Sequence, residues 1–279
     1  MNFRARPYPR TISDSISTLF VITAIPIIYW FELWIVIPAL MATYSMFHIL
    51  NLVVGTFIML NIIGNMLAVM MFNTSIVGEE IIHPPKASSV LWKFCVICET
   101  VVPPRSRHCS TCGVCILKRD HHCMFTGCCI GHNNQRFFMY WLFYMFIGAA
   151  YSTILNIILI WSVHDEEFFS AITLLKMILP LIMLAFESST MQFYLIMNLL
   201  SLVGTLFTFF LLRYHFQNVL CGCITHEAIR QFDLGPMENI RIVFGKRWYL
   251  TWISAFVQSE LPFNGINWQQ IYERTNKNL

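Results

Sequence analysis

Between Cys95 and Cys129 the chain carries eleven cysteines and histidines, and eight of them repeat one spacing, Cys-x2-Cys-x9-His-x6-Cys. The first copy is Cys95, Cys98, His108 and Cys115; the second, fourteen residues on, is Cys109, Cys112, His122 and Cys129. Each copy is a Cys3His set, the complement that closes a tetrahedral structural zinc site with no position left for water. Two structural Zn2+ ions are therefore expected. Cys128, beside Cys129, offers an alternative last ligand, although the duplicated spacing favours Cys129. Cys123 belongs to neither set and follows Asp120-His121-His122 directly. A free thiol is mostly protonated at neutral pH, so a nucleophilic Cys123 needs a base. His121 can take the proton and Asp120 can orient its ring, while His122 is committed to zinc by its spacing. The catalytic set predicted from the residues is thus Cys123, His121 and Asp120.

These groups must be held by a membrane protein. The 279 residues are 57% hydrophobic and 12% charged, with mean hydropathy +0.61, too apolar for an ordinary soluble domain. A formal net charge of +3, spread over polar segments, argues against nucleic-acid binding. Apolar stretches of spanning length occur near 15–37, 46–72, 138–161 and 191–212. The stretch that follows Arg4, Arg6 and Arg10 is too long for a cleaved signal core and is expected to be a retained span. A shorter stretch, 168–187, is broken by Lys176 and Pro180 and ends at Glu187, so an interfacial or re-entrant segment is expected there. Basic residues cluster before the first span, between the second and third, and after the last, whereas Asp165-Glu166-Glu167 follows the third. Positive charge marks the cytosolic side, which places both termini and the cysteine-rich segment in the cytosol. Of ten cysteines, eight fall in a segment of Cys-x2-Cys spacings beside histidines, which fits that reducing compartment better than a disulfide framework.

The expected fold class is an all-α multi-pass membrane protein with four transmembrane helices, a cytosolic zinc-clamped domain of short β-hairpins and a small amphipathic C-terminal unit. Its expected divisions are 1–72 (N-terminus and helices 1–2), 73–137 (cysteine-rich domain), 138–212 (helices 3–4 with a lumenal loop) and 213–279 (cytosolic C-terminal region). Asn73-Thr74-Ser75 fits the glycosylation pattern, but on the cytosolic side a plain polar turn is expected. Cys221 and Cys223, just past the last span, are either acylation sites or ordinary buried thiols. Arg105, Arg107, Lys118, Arg119 and Arg136 could meet anionic phosphates or simply anionic lipid. Gly148-Ala149-Ala150 could leave room for a lipid chain or serve helix packing.

Asp120-His121-His122-Cys123, set in this cysteine-rich segment between two spans, resembles the DHHC-type protein S-acyltransferases, or palmitoyltransferases. Arg105-x-x-His108-Cys109, Cys129-x-Gly131-x-x-Asn134, and Asn239 with Phe244-Gly245 fit that family's pattern. The resemblance implies that Cys123 takes a fatty acyl chain from acyl-CoA, typically palmitoyl-CoA, and passes it to a cysteine of a membrane-associated protein. It further implies an endomembrane location, Golgi or endoplasmic reticulum, with the active site facing the cytosol. The chain departs from the pattern at Met124-Phe125, where the family has Pro-Trp, and at Gly127-Cys128, where it has an Asn pair. Ile224-Thr225-His226-Glu227 lacks the first threonine of the family's Thr-Thr-x-Glu, and the Asp-Pro-Gly before the cysteine-rich domain is absent, with only Gly78 nearby. The rival reading is an inactive relative, a zinc-clamped membrane adaptor. A metal transporter is a distant third, because closed Cys3His sites release metal reluctantly.

Overall fold

The computed structural model describes residues 3–78, 91–163, 182, 190–227 and 230–277. The expected re-entrant segment 168–187 and the acidic run at 165–167 lie outside the described residues, apart from Ile182. Helix α1 (Ile12–Phe31) runs through a π turn (Glu32–Val36) into α2 (Ile37–Leu40), and α3 (Met46–Met71), α4 (Gln135–Val163) and α5 (Thr190–Leu220) follow. Among the described residues four helices are long and apolar enough to cross a membrane, the first being Ile12–Leu40. Three short antiparallel hairpins lie between α3 and α4: β1 (Lys93–Cys95) with β2 (Thr100–Val102), β3 (Arg107–Cys109) with β4 (Val114–Ile116), and β5 (His121–Cys123) with β6 (Cys128–Ile130). After α5 come α6 (Pro236–Phe244) and α7 (Gln269–Lys277).

Two compact units emerge. One joins Met1–Val21, Ile63–Trp141 and Arg213–Leu279; the other joins Ile22–Ile62 and Leu142–Leu212. In the second unit Phe31, Leu33, Val36, Ile37, Leu155, Leu159 and Met197 form the buried core. Gly148 sits where an added Cβ would meet Ile58 at 3.2 Å, and Ala149 lies against Gly204, so this small-residue run serves close helix packing. Glu32 lies inside the first span, a charge that a reading of 15–37 as uniformly apolar passed over. Its Oε1 accepts the Ser152 hydroxyl and, at 2.7 Å, the Asn156 amide, and Ser152 contacts the Ser201 hydroxyl at 2.8 Å. Polar partners of this kind are required at membrane depth, where a lone carboxyl is costly.

The first unit holds the hairpins. Thr11 caps α1 by accepting the Asp14 N–H, which puts Asp14 in the first turn beside the helix's positive end. Arg10 donates to the carbonyl of Cys112, and Thr18 donates to the carbonyl of Met124, so the N-terminal segment grips the second and third hairpins. Asn73 Oδ1 accepts both the N–H and the hydroxyl of Ser75, the polar turn expected there. The C-terminal unit packs against the hairpin region: the Arg105 guanidinium lies 4.6 Å from the ring centre of Phe232 and 4.5 Å from that of Trp268. His132 Nε2 donates to the carbonyl of Phe263 at 2.8 Å. Asn239 donates to the carbonyl of Leu220 and to Asp233, and accepts the N–H of Leu234, which ties α6 to the end of α5.

Candidate active site

The three hairpins repeat one another every fourteen residues. Cys95, Cys109 and Cys123 end their first strands and face Thr100, Val114 and Cys128 across the ladder. The turn residues Glu99, Gly113 and Gly127 all have positive φ, at 49°, 65° and 60°. Glycine takes that conformation without steric cost, and asparagine tolerates it, so Gly127 in place of the family's asparagine preserves the turn. An added Cβ at Gly127 would also come within 2.8 Å of the Pro9 backbone.

Each metal set links the turn of one hairpin to the paired strands of the next. Cys95 and Cys98 come from the first hairpin, and His108 and Cys115 are cross-strand partners in the second. Cys109 and Cys112 come from the second hairpin, and His122 and Cys129 are partners in the third. In each set the four ligand atoms lie within 4.8 Å of one another. Bonds of about 2.3 Å to sulfur and about 2.1 Å to nitrogen imply tetrahedron edges of roughly 3.8 Å between sulfurs and roughly 3.6 Å between sulfur and nitrogen. The observed edges are 3.2 Å for Cys98–His108, 3.7 Å for Cys98–Cys115, 3.4 Å for Cys112–His122, 3.6 Å for Cys112–Cys129 and 3.7 Å for Cys129–His122. Donor type, number and spacing fit two structural zincs. Both histidines present Nδ1. His122 turns its Nε2 to Asp14 Oδ2 at 3.2 Å, the second contact that fixes a ligand histidine's ring. Cys129 is the converging thiol; Cys128 points to the carbonyl of Val69 instead, and burial raises its pKa to about 11.

Strand alternation separates the adjacent histidines. Successive side chains point to opposite faces, so His122 and Cys129 share the zinc face while His121, Cys123 and Cys128 share the other. His121 Nδ1 lies 2.6 Å from Asp120 Oδ2, and His121 shares its face of β5 with Cys123, whose charge favours the protonated imidazole. Burial works against a charged His121, but Asp120 and Cys123 outweigh it and push the imidazole up to about 9. Burial likewise opposes a Cys123 thiolate, yet His121 and then the hydroxyl and N–H of Thr126 hold this thiol below its ordinary value. Thr126 occupies the place of Cys98 and Cys112, and the N–H of Cys112 makes the matching bond to Cys109 Sγ at 3.4 Å. The third hairpin thus repeats the turn of the other two with Thr126 where they carry their second cysteine, and Cys123 falls outside both metal sets.

The sequence reading missed His215. Its Nδ1 lies 3.4 Å from Asp120 Oδ2, and Asp120, His121 and His215 form a third convergent group. Thr225 completes the shell: its N–H reaches Asp120 Oδ1 at 2.9 Å and its hydroxyl reaches Oδ2 at 3.1 Å. Burial disfavours the Asp120 charge, but the bonds from His121 and His215 outweigh it and hold the carboxyl well below the usual carboxylate range. Ile224 leaves this arrangement intact, since its position contributes a backbone N–H to Glu227 Oε2 at 3.2 Å. A polar signal for His215 existed, one histidine near the end of an apolar span, but only the fold brings it to Asp120.

A scan of family models matches residues 89–231 to DHHC palmitoyltransferase, just over half of the chain. The chain belongs to the DHHC palmitoyltransferase family. It is 36% identical over 184 residues to probable palmitoyltransferase ZDHHC24 of Danio rerio, covering 64% of this chain and 62% of that relative's length. It is 34% identical over 233 residues to probable palmitoyltransferase ZDHHC24 of Homo sapiens, covering 79% and 78%, and 32% identical over the same length to that of Mus musculus. Membership places this chain within a family of protein acyltransferases.

One expectation about the family's substrate changes. Arg105 is engaged by Glu227 at 2.7 and 2.9 Å and by the carbonyl of Gly222, Lys118 by Gln135 at 2.8 Å, and Arg136 by the carbonyl of Ser259. Arg119 interacts with Cys129 and Cys109. Of the five cations considered for phosphate contact, Arg107 is the exposed one. Folding of the hairpin region engages Arg105, Lys118 and Arg136 in this way, because a small domain with little apolar core is held by charge-assisted bonds as well as metal.

Proposed function

We propose that this chain is a protein-cysteine S-acyltransferase that takes a fatty acyl chain, such as palmitoyl, from acyl-CoA and transfers it to cysteines of membrane-associated proteins. Cys123 is the nucleophile, His121 the base, and Asp120 the group that orients His121. His121 already holds the Cys123 proton, so the thiolate sulfur bonds the acyl carbon, the bond to the CoA sulfur breaks, and His121 gives the proton to the leaving thiolate. A protein thiol then attacks the Cys123 thioester, giving its proton to His121, and Cys123 recovers one as it leaves. Thioester exchange between thiols is near thermoneutral, so one cysteine can take and give the chain. Bound zinc contributes folding free energy to the hairpins and enters neither step. The observation that carries the reading is the imidazole of His121, held by the Asp120 carboxylate at 2.6 Å, on the same face of β5 as the Cys123 thiol and turned away from the zinc ligands.

The basic segments support cytosolic termini and a cytosolic hairpin domain in an endomembrane, Golgi or endoplasmic reticulum. An acyl chain gains about 0.8 kcal/mol per methylene buried among apolar helices, which favours a reaction at the membrane surface. The test is uptake of labelled palmitoyl from palmitoyl-CoA by purified protein in a hydroxylamine-labile bond. Uptake lost in Cys123→Ser with zinc unchanged is the expected result. No uptake by the wild type, with folding and zinc intact, would favour the adaptor reading that Met124-Phe125 and Ile224 suggest. Protection of the C-terminus from protease in sealed microsomes would overturn the orientation.

A further inference from the structure

Asp120 Oδ2 receives three groups: His121 Nδ1 at 2.6 Å, the Thr225 hydroxyl at 3.1 Å and His215 Nδ1 at 3.4 Å. The His215 ring also lies over that of His121, with centroids 4.9 Å and planes 30° apart. Phe138 closes the triangle, its ring 5.0 Å from each imidazole and turned 67° to His121 and 88° to His215. Tyr214 backs His215 edge-on at 5.1 Å. His215 is buried, so this aromatic slot is set by packing and not by solvent.

An imidazole held by a single bond to a carboxylate can still pivot about that bond. Pivoting would swing its second nitrogen away from the thiol, and small losses of alignment cost rate steeply. A second ring against its face, anchored to the same carboxylate oxygen, removes that freedom. We propose that His215 is a positioning residue for the Cys123 reaction, holding the Asp120 carboxylate and the face of His121 so that the second ring nitrogen stays on the Cys123 thiol. The inference rests on the acyltransfer reading of Cys123.

Two substitutions divide the contacts. His215→Phe keeps a ring and removes the N–H; His215→Asn keeps an N–H near the Nδ1 position and removes the ring. The measurement is single-turnover uptake of labelled palmitoyl by the purified full chain, with zinc content and the palmitoyl-CoA concentration for half-maximal rate. Each variant should lower the rate constant by about tenfold, with two zincs retained and the half-maximal concentration unchanged. In a His121→Ala background the same substitutions should change nothing further, because His215 acts through His121. Additive losses in that background, an unchanged rate, or zinc lost in both variants would overturn the proposal. Absence of uptake in the wild type would refute the acyltransfer reading itself and this inference with it.

Discussion

Adjacent histidines should fail in different ways. In His121→Ala the 2.6 Å bond to Asp120 and the charge that favours the Cys123 thiolate are lost, while His122 keeps Nδ1 at 3.4 Å from Cys112 and 3.7 Å from Cys109 and Cys129. Removing a positioned general base costs about 10²- to 10⁴-fold, so uptake of labelled palmitoyl should fall by that factor with two zincs per chain retained. In His122→Ala the second tetrad loses its nitrogen. Structural zinc contributes about 10–16 kcal/mol of binding free energy, comparable to the roughly 5–15 kcal/mol that holds a whole domain, so partial loss cannot be absorbed locally. The second metal should leave, and the linkage between the second and third hairpins should go with it. That linkage also orients β5, so uptake falls in both variants and zinc in one. The assay is elemental zinc per mole of protein beside single-turnover uptake. Two zincs in His122→Ala, or one in His121→Ala, would show that the strand faces are assigned the wrong way round.

Three further outcomes follow from other contacts. Asp14→Ala removes the acceptor of His122 Nε2 and should speed zinc loss to a chelator by about 10- to 100-fold, from one site of the two. Gly131→Ala places a Cβ 2.6 Å from the carbonyl of Leu117 and 2.7 Å from Thr74 Oγ1, and should destabilise the first unit by about 1–3 kcal/mol, seen as a lower thermal midpoint. Alkylation of Cys123 by iodoacetamide reports the thiolate: because the folded thiol's pKa lies below the ordinary value, the rate should persist as pH falls below about 8.5, and His121→Ala should move the inflection upward. An inflection that stays put in that variant would remove His121 as the cause.

Much of the site was legible from spacing alone. A metal set needs four donors at fixed intervals, and the fourteen-residue repeat lists all eight while leaving Cys123 outside both sets. The four spans were legible because hydrocarbon demands long apolar helices, and they run three to eight residues further at some ends, where polar residues such as Gln135 and Arg213 continue the helix beyond the apolar core. Glu32 was not legible as tolerated, since its partners Ser152 and Asn156, and Ser201 behind Ser152, come from distant helices.

Local sequence determines which residues bind metal, which stretches are apolar enough to span, and which thiol is left over, because each depends on intervals shorter than a hairpin or on composition within one helix. Long-range packing decides the rest. Only the fold carries His215 and Thr225 to Asp120, separated from it by about a hundred residues of chain, and only the fold sets Asp14 behind His122. Only the fold consumes Arg105 and Lys118 as internal partners. The physical reason is that a hydrogen bond or ion pair depends on distance and direction in space, and neither is encoded by the identity of a residue until the hairpins and helix ends have packed.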